Sequence, residues 1–280
     1  MVKREEKNNI LSSSEKEVRR QVDTISERHR RCSLTHHLAY MDQEFIMRPE
    51  LRPQRLGLEF LKPEIVFQEC GIQSTVVLFG GARIPEPGQE AWAAKNQQQK
   101  KNLQDMSHYY DEAREFARLC SRYSATTKYR EFVVATGGGL GVMEAGNRGA
   151  DDVGAPTIGL NVILPHEQWP NAYVTPHLCF NFHYLTIRKM HFLIRAKALA
   201  VFPGGFGTLD ELFEALTLMQ TGRMKQVPIL IFGKEFWNNV INFDYLSSQG
   251  MISSSDVDLL TFVNTAEQAF EVIRSFYKLV

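Results

Sequence analysis

KALAVFPGGFGTLDELFEALTLMQ, Lys197 to Gln220, decides the fold. Its first six residues form a short, mostly apolar run of the kind that makes a buried strand. PGGFGT (Pro203 to Thr208) is a glycine-rich turn, and the remainder reads as a helix. A strand that passes through glycines directly into a helix gathers unpaired N–H groups and the positive end of the helix dipole at one point, which favours an anion. Gly204, Gly205 and Gly207 have no side chain to hold a ligand off the backbone. Thr208 is a natural N-cap, and Glu211 stands three residues on, in a capping-box relation to it. Glu211 therefore has two readings at this stage: a capping acid on the first turn, or a catalytic carboxylate.

The same alternation extends outward. STVVLFG (Ser74 to Gly80), EFVVATG (Glu131 to Gly137), APTIGLNV (Ala155 to Val162) and VPILIFG (Val227 to Gly233) read as strands. Leu103 to Tyr123 and Val142 to Ala150 read as helices, and Thr265 with Gln268 opens a last one, TAEQAFEVIRSFYKL. Strands apolar on both faces, separated by helices, predict a doubly wound α/β domain: a parallel sheet flanked by helices, Rossmann-like, over residues 73–280. Residues 1–72 read as a charged, partly helical N-terminal arm and connector. Ser14 and Glu17 suggest a capping box, and Val18, Val22 and Ile25 fall at helical spacing. Arg28, Arg30 and Arg31 suit either a solvated helix packed on the body or on another subunit, or a nucleic-acid or partner-binding arm. Pro53 and Pro63 bracket what reads as a connector without regular structure.

Composition narrows the class. The chain has 280 residues, 44% of them hydrophobic, enough for a substantial core. Its 32 basic and 32 acidic residues give no net charge, so no overall basic field points to nucleic acid or an anionic membrane. Cys32, Cys70, Cys120 and Cys179 are far apart, which argues against a disulfide framework or zinc site and predicts reduced thiols. The charged start has no apolar signal-like run, and the expected location is cytoplasmic.

Three glycine-bearing turns fall at the ends of predicted strands: FGGAR (Phe79 to Arg83), TGGGLGVMEAG (Thr136 to Gly146) and PGGFGT. In doubly wound sheets ligands bind beyond the carboxyl ends of strands. A dinucleotide fingerprint fails on inspection, because its third glycine would be Val142, Glu144 or Asp210. No GxxxxGK[ST] occurs either. The expected ligand bears phosphate and is smaller than a dinucleotide. Arg83, at a strand end, is a candidate phosphate contact.

TGGGLGVMEAGNRGA together with PGGFGTLDELFEALTLMQTG resembles the LOG family, the cytokinin-activating phosphoribohydrolases and their bacterial relatives, long labelled "lysine decarboxylase-like". FGGAR is similar to the FGSAR of a bacterial branch, with Gly81 in place of serine. The resemblance runs from about Ser74 to the C-terminus. It implies removal of the base from nucleoside 5′-monophosphates without a metal or other cofactor, in a homodimer or larger homo-oligomer with sites near the subunit interface. It places the catalytic acid on Glu211 and the catalytic arginine on Arg188, in the segment LTIRKMHFLIRAK. Ile187 stands where many plant members have an acid, which bears on substrate preference. Met143 and Glu144 match the nucleotide-contacting segment, alongside Gly137, Gly138, Gly139 and Gly141, with Lys189 a further candidate.

The residue types suit the chemistry. Cleaving an N-glycosidic bond builds oxocarbenium character on the ribose, which a carboxylate stabilises while orienting or deprotonating water. An arginine offers a fixed fork for phosphate or for charge on the leaving base. The alternative for Arg188 is a surface ion-pair partner on the helix Thr186 to Arg195. His36, His37, His183 and His191 read as packed or solvent-facing, and HEQWP (His166 to Pro170) as no metal motif. Asp210 reads as a dipole partner and Glu214 as a neighbour facing the same site. Phe206, Phe213 and Leu216 read as packing, and Trp237 as part of a core-forming helix. The expected function is a nucleoside 5′-monophosphate phosphoribohydrolase with AMP as leading substrate. The alternative is a non-catalytic nucleotide-binding or regulatory protein of the same fold.

Overall fold

A central strand, β1 (Thr75–Phe79), carries five fully buried residues and anchors everything around it. The structure, a computed structural model, describes residues 37–163 and 169–279. A boundary between Arg55 and Leu56 divides the chain into two compact units. In the first, Asp42 caps the short helix Gln43–Ile46 by accepting from the Phe45 N–H, and Arg55 donates to the carbonyls of Ile46 and Arg48 at 2.6 and 2.8 Å. The residues read as the arm's amphipathic helix and basic cluster, Ser14 to Arg31, lie outside the described residues.

The second unit is built on a seven-stranded sheet. With β2 (Val133–Thr136), β3 (Thr157–Val162), β4 (Cys179–Phe182), β5 (Ala196–Val201), β6 (Ile229–Phe232) and β7 (Leu260–Val263), the order is β4-β3-β2-β1-β5-β6-β7. Every neighbouring pair is parallel. Side chains alternate between two cores, one on each face. Val76 and Leu78 join Ala198 and Ala200 under the helices His108–Thr126, Val142–Asp151 and Ala266–Tyr277. Val77 and Phe79 join Leu199 and Val201 under Arg52–Glu69, Leu185–Ile194 and Phe206–Gln220. This is the doubly wound α/β architecture that the alternating pattern predicts.

Four features differ from the sequence reading. The stretch read as an irregular connector is the helix Arg52–Glu69. Pro53 falls in its first turn, where a missing N–H costs nothing, and Pro63 is tolerated in its interior because it and Phe67 are buried. Phe67 packs edge-on against Phe180, with ring centroids 5.3 Å apart. Leu103 to Tyr123 is two helices, Gln97–Asp105 and His108–Thr126, the first capped by Asn96. Both edge strands, β4 and β7, escaped notice because each is four residues long and only partly buried, so neither makes a continuous apolar run.

The order of the strands fixes where a ligand would bind. The chain begins at β1, runs outward to β4, then crosses back to β5 on the other side of β1. The β1/β5 pair is therefore the topological switch point, and the loops that leave these two strands diverge.

Candidate active site at the switch point

A cavity of about 780 Å³ opens beyond the carboxyl ends of β1 and β5. Gly80 to Ile84 after β1 and Pro203 to Leu209 after β5 form two of its walls, and Gly137, Gly139 and Met143 from the turn after β2 contribute to a third. All three glycine turns singled out in the sequence thus meet at one place.

The helix after β5 begins earlier than expected. Gly205 is the N-cap, Phe206 the first helical residue, and the cap makes no side-chain hydrogen bond. Thr208 therefore lies within the first turn and Glu211 in the second, and the capping-box reading of this pair is wrong. Thr208 is buried, and its hydroxyl folds toward Gly204, where a Cβ would lie 2.2 Å from Oγ1. No acid occupies the first turn, so Asp210 is not the dipole partner it resembled. The structural explanation for Glu211 disappears with its cap.

Glu211 instead meets Arg188. Arg188 Nη1 stands 3.3 Å from Glu211 Oε1, with only 12% and 13% of the two side chains exposed. Arg188 is thus no surface ion-pair residue. Its Nε–H donates to the Leu160 carbonyl at 2.6 Å, and its guanidinium lies 5.0 Å from the Phe192 ring centroid. Burial pushes the Glu211 carboxyl up to about 7, with Arg188 opposing that rise, Asp210 adding to it, Lys189 lowering it and Glu214 raising it. Burial lowers the Arg188 pKa, and Glu211 opposes that. A carboxylate poised near neutrality beside a fixed, buried cation suits general-base work.

The other candidates separate into two groups. Gly204, Gly205 and Gly207 line the cavity, as does Arg83, which is exposed and has no carboxylate partner among the described residues. Lys189 is turned to the side, 3.1 Å from Asp210 and 2.6 Å from Glu214, and does not line the cavity. Glu214 accordingly faces Lys189 and a different cavity. Glu144 accepts a hydrogen bond from the Tyr110 hydroxyl at 2.8 Å and also lies off the cavity wall. Gly138 and Gly141, at φ 69° and 65°, shape the turn without lining it. His183 is exposed, His191 is buried, and neither reaches the cavity. His36 and the first part of HEQWP lie outside the described residues.

Asn161, Phe206 and Trp169 are among the cavity residues not read from the sequence as site residues. Asn161 lines the wall with a buried Oδ1 that has no hydrogen-bond partner among the described residues, and its position near the carboxyl end of β3 was the available signal. Phe206 is 91% exposed at the rim, the reverse of the packing role expected, and Trp169 is 79% exposed there. Trp237, in contrast, is fully buried and donates its indole N–H to the Phe232 carbonyl. Among the described residues, no three His, Cys, Asp or Glu side chains converge to hold a metal ion.

Comparison with known proteins adds a family. The model described as "Possible lysine decarboxylase" matches residues 143–273. The cytokinin riboside 5′-monophosphate phosphoribohydrolases LOG3 and LOG4 of Arabidopsis thaliana are each 24% identical over 147 residues, covering 51% of this chain and 67% of theirs. A probable phosphoribohydrolase of the same kind, LOGL3 of Oryza sativa subsp. japonica, is 28% identical over 90 residues, 32% of this chain and 43% of its own. Among solved structures, the Moco carrier protein from Chlamydomonas reinhardtii aligns over 74% of this chain and 99% of its own, at 17% identity and a TM-score of 0.44. The chain matches the family model over residues 143–273, a stretch that includes Arg188 and Glu211, and is similar to these cytokinin riboside 5′-monophosphate phosphoribohydrolases.

Proposed function

We propose that the protein hydrolyses the N-glycosidic bond of nucleoside 5′-monophosphates, AMP foremost, to free base and ribose 5-phosphate. The observation that carries this reading is the buried Arg188–Glu211 pair at the wall of a cavity bounded by the glycine turns. The N–H groups of Gly205 to Thr208, at the start of a helix, and Arg83, which has no carboxylate partner among the described residues, supply positive potential for the phosphate. Glu211 stabilises the developing positive charge on the ribose and takes a proton from the attacking water. The water oxygen bonds to C1′ as the bond to the base nitrogen breaks; the departing base keeps the bonding electron pair and is then protonated, and Glu211 returns to the carboxylate by giving up the proton it took from water. Arg188, whose guanidinium stays protonated, holds the carboxylate and faces charge on the leaving base.

The phosphoribohydrolase names of the relatives support this reading, and the family description's decarboxylase does not suit the site. Among the described residues no lysine lines the cavity, so no amine stands there to form the Schiff base a pyridoxal enzyme needs. The protein acts as a homodimer or larger homo-oligomer, as the resemblance implies, in the cytoplasm, and the residues before Leu56 form a unit separate from the catalytic domain. Incubation with AMP, GMP, CMP and isopentenyladenosine monophosphate, followed by chromatography for free base, tests the reaction. Release of base supports it. A folded protein that releases none from any of the four overturns it.

A further inference from the structure

Arg188 can only serve Glu211 if the helix that carries it, Leu185–Ile194, is held at a fixed height. That helix has no cap of its own: Tyr184 at the N-cap position makes no side-chain hydrogen bond, and no acid stands in the first turn. The missing cap comes from another helix. Glu59, on Arg52–Glu69, accepts from the His183 N–H at 3.0 Å with one carboxylate oxygen and from the Tyr184 N–H at 3.1 Å with the other. A carboxylate at this end satisfies two otherwise unpaired donors and complements the helix dipole.

The far end is held by the same helix. Arg195, the C-cap, forms a two-pronged ion pair with Glu64, one contact measuring 2.8 Å. His191 lies between, its Nδ1 3.4 Å from Glu64 Oε1 and its ring stacked 5.1 Å from that of Phe60. Arg188 sits on the stretch between these two anchors. Both anchoring acids lie outside residues 143–273, where the family model matches.

We propose that Glu59 is a positioning residue, which sets the placement of Arg188 against Glu211 by capping the helix that carries the arginine. The proposal rests on the hydrolase reading for its functional meaning, but its test does not need turnover. The charged groups that act on the Glu211 carboxyl are Arg188, Asp210, Lys189 and Glu214. If the helix loses its cap and Arg188 withdraws, the carboxyl loses its nearest cation and its midpoint rises. Removing the negative charge of Glu59 by itself would move the midpoint the other way, so the two effects differ in sign.

The experiment follows the side-chain carboxyl carbon of Glu211 by NMR across a pH titration of the full chain, with the signal assigned by its loss in Glu211→Gln. Glu59→Ala is expected to raise the midpoint above the wild-type value. Glu59→Gln, which keeps one acceptor oxygen, should fall between the two. In parallel, kcat for base release should drop about tenfold or more in Glu59→Ala with KM nearly unchanged, the signature of a displaced catalytic group. A midpoint that stays or falls in either folded variant overturns the proposal. Should Glu59→Ala fail to fold, Glu59→Gln decides alone. Wild type that releases no base defeats the hydrolase reading and leaves the titration to decide the positioning role.

Discussion

Arg188 reaches Glu211 through a notch that Gly137 leaves open: a methyl group built on Gly137 would lie 2.5 Å from Arg188 Nη2 and 2.7 Å from Met143 Sδ. The glycine that follows β2 thus makes room for the guanidinium whose Nη1 is 3.3 Å from Glu211. One turn supplies the space, a second the acid, and the crossover helix between β4 and β5 the cation.

Gly137→Ala should therefore displace the arginine. Turnover should fall by about 100-fold, the scale of loss that an ångström of misplacement brings. Gly207→Ala is the contrasting change, because nothing lies within 4 Å of a Cβ there. It should leave folding intact or stabilise it by about 0.4–1 kcal/mol, and any loss should appear in KM as the methyl crowds the phosphate. Steady-state kinetics with thermal denaturation of both variants separates the two outcomes.

Stability should carry a mark of Glu211 as well. Its folded pKa, about 7, lies above the ordinary 4.5, so the neutral form is favoured on folding. That contribution is full below about pH 4.5 and is lost as pH rises through 7. The difference corresponds to about 3 kcal/mol. Glu211→Gln cannot ionise, so its stability relative to wild type should rise between pH 4 and pH 8. Denaturant midpoints at several pH values measure this, and a constant difference would count against a buried, titrating acid.

The pH dependence of activity should follow the same group. With Glu211 acting as a base, kcat/KM is expected to rise with pH through a midpoint near 7. Arg188→Met removes the cation that holds the carboxyl down, so the midpoint should move upward while the rate falls. An unshifted limb would mean that the acid seen in the profile is another residue.

Arg83 offers a simpler test. It is exposed and lines the cavity without a carboxylate partner among the described residues, so its charge is available to a ligand. Arg83→Ala should raise KM for AMP about tenfold and leave binding of adenosine unchanged, an effect of losing one charge-assisted hydrogen bond. Equal weakening of both ligands would show that the arginine does not meet phosphate.

The sheet was legible in the sequence wherever strands are buried on both faces, because runs such as VVLF and ILIF admit few other readings. The edge strands were not, since Asn181 and the partly exposed β7 break the apolar pattern. The helix Arg52–Glu69 was hidden by its prolines, whose local cost is outweighed by tertiary burial. At the site, the glycine turns were evident from their place after strands, and Arg188 and Glu211 from the family resemblance. The capping box at Thr208 misled because the helix begins at Phe206, on a glycine cap that gives no side-chain signal. Asn161, Trp169 and exposed Phe206 depend on which loops converge across the switch point, which local patterning does not encode. Nor does it encode the pairing of Glu59 with a helix end 124 residues away.

The central claim is that Glu211 breaks the bond between base and ribose 5-phosphate. Its most direct test is the quantity of adenine and ribose 5-phosphate formed from AMP by wild type and by Glu211→Gln, each confirmed as folded. Wild type should yield the two products in equal amounts, and the variant should be slower by a factor on the order of 10²–10⁴. No adenine from wild type, or undiminished release from Glu211→Gln, would contradict the account.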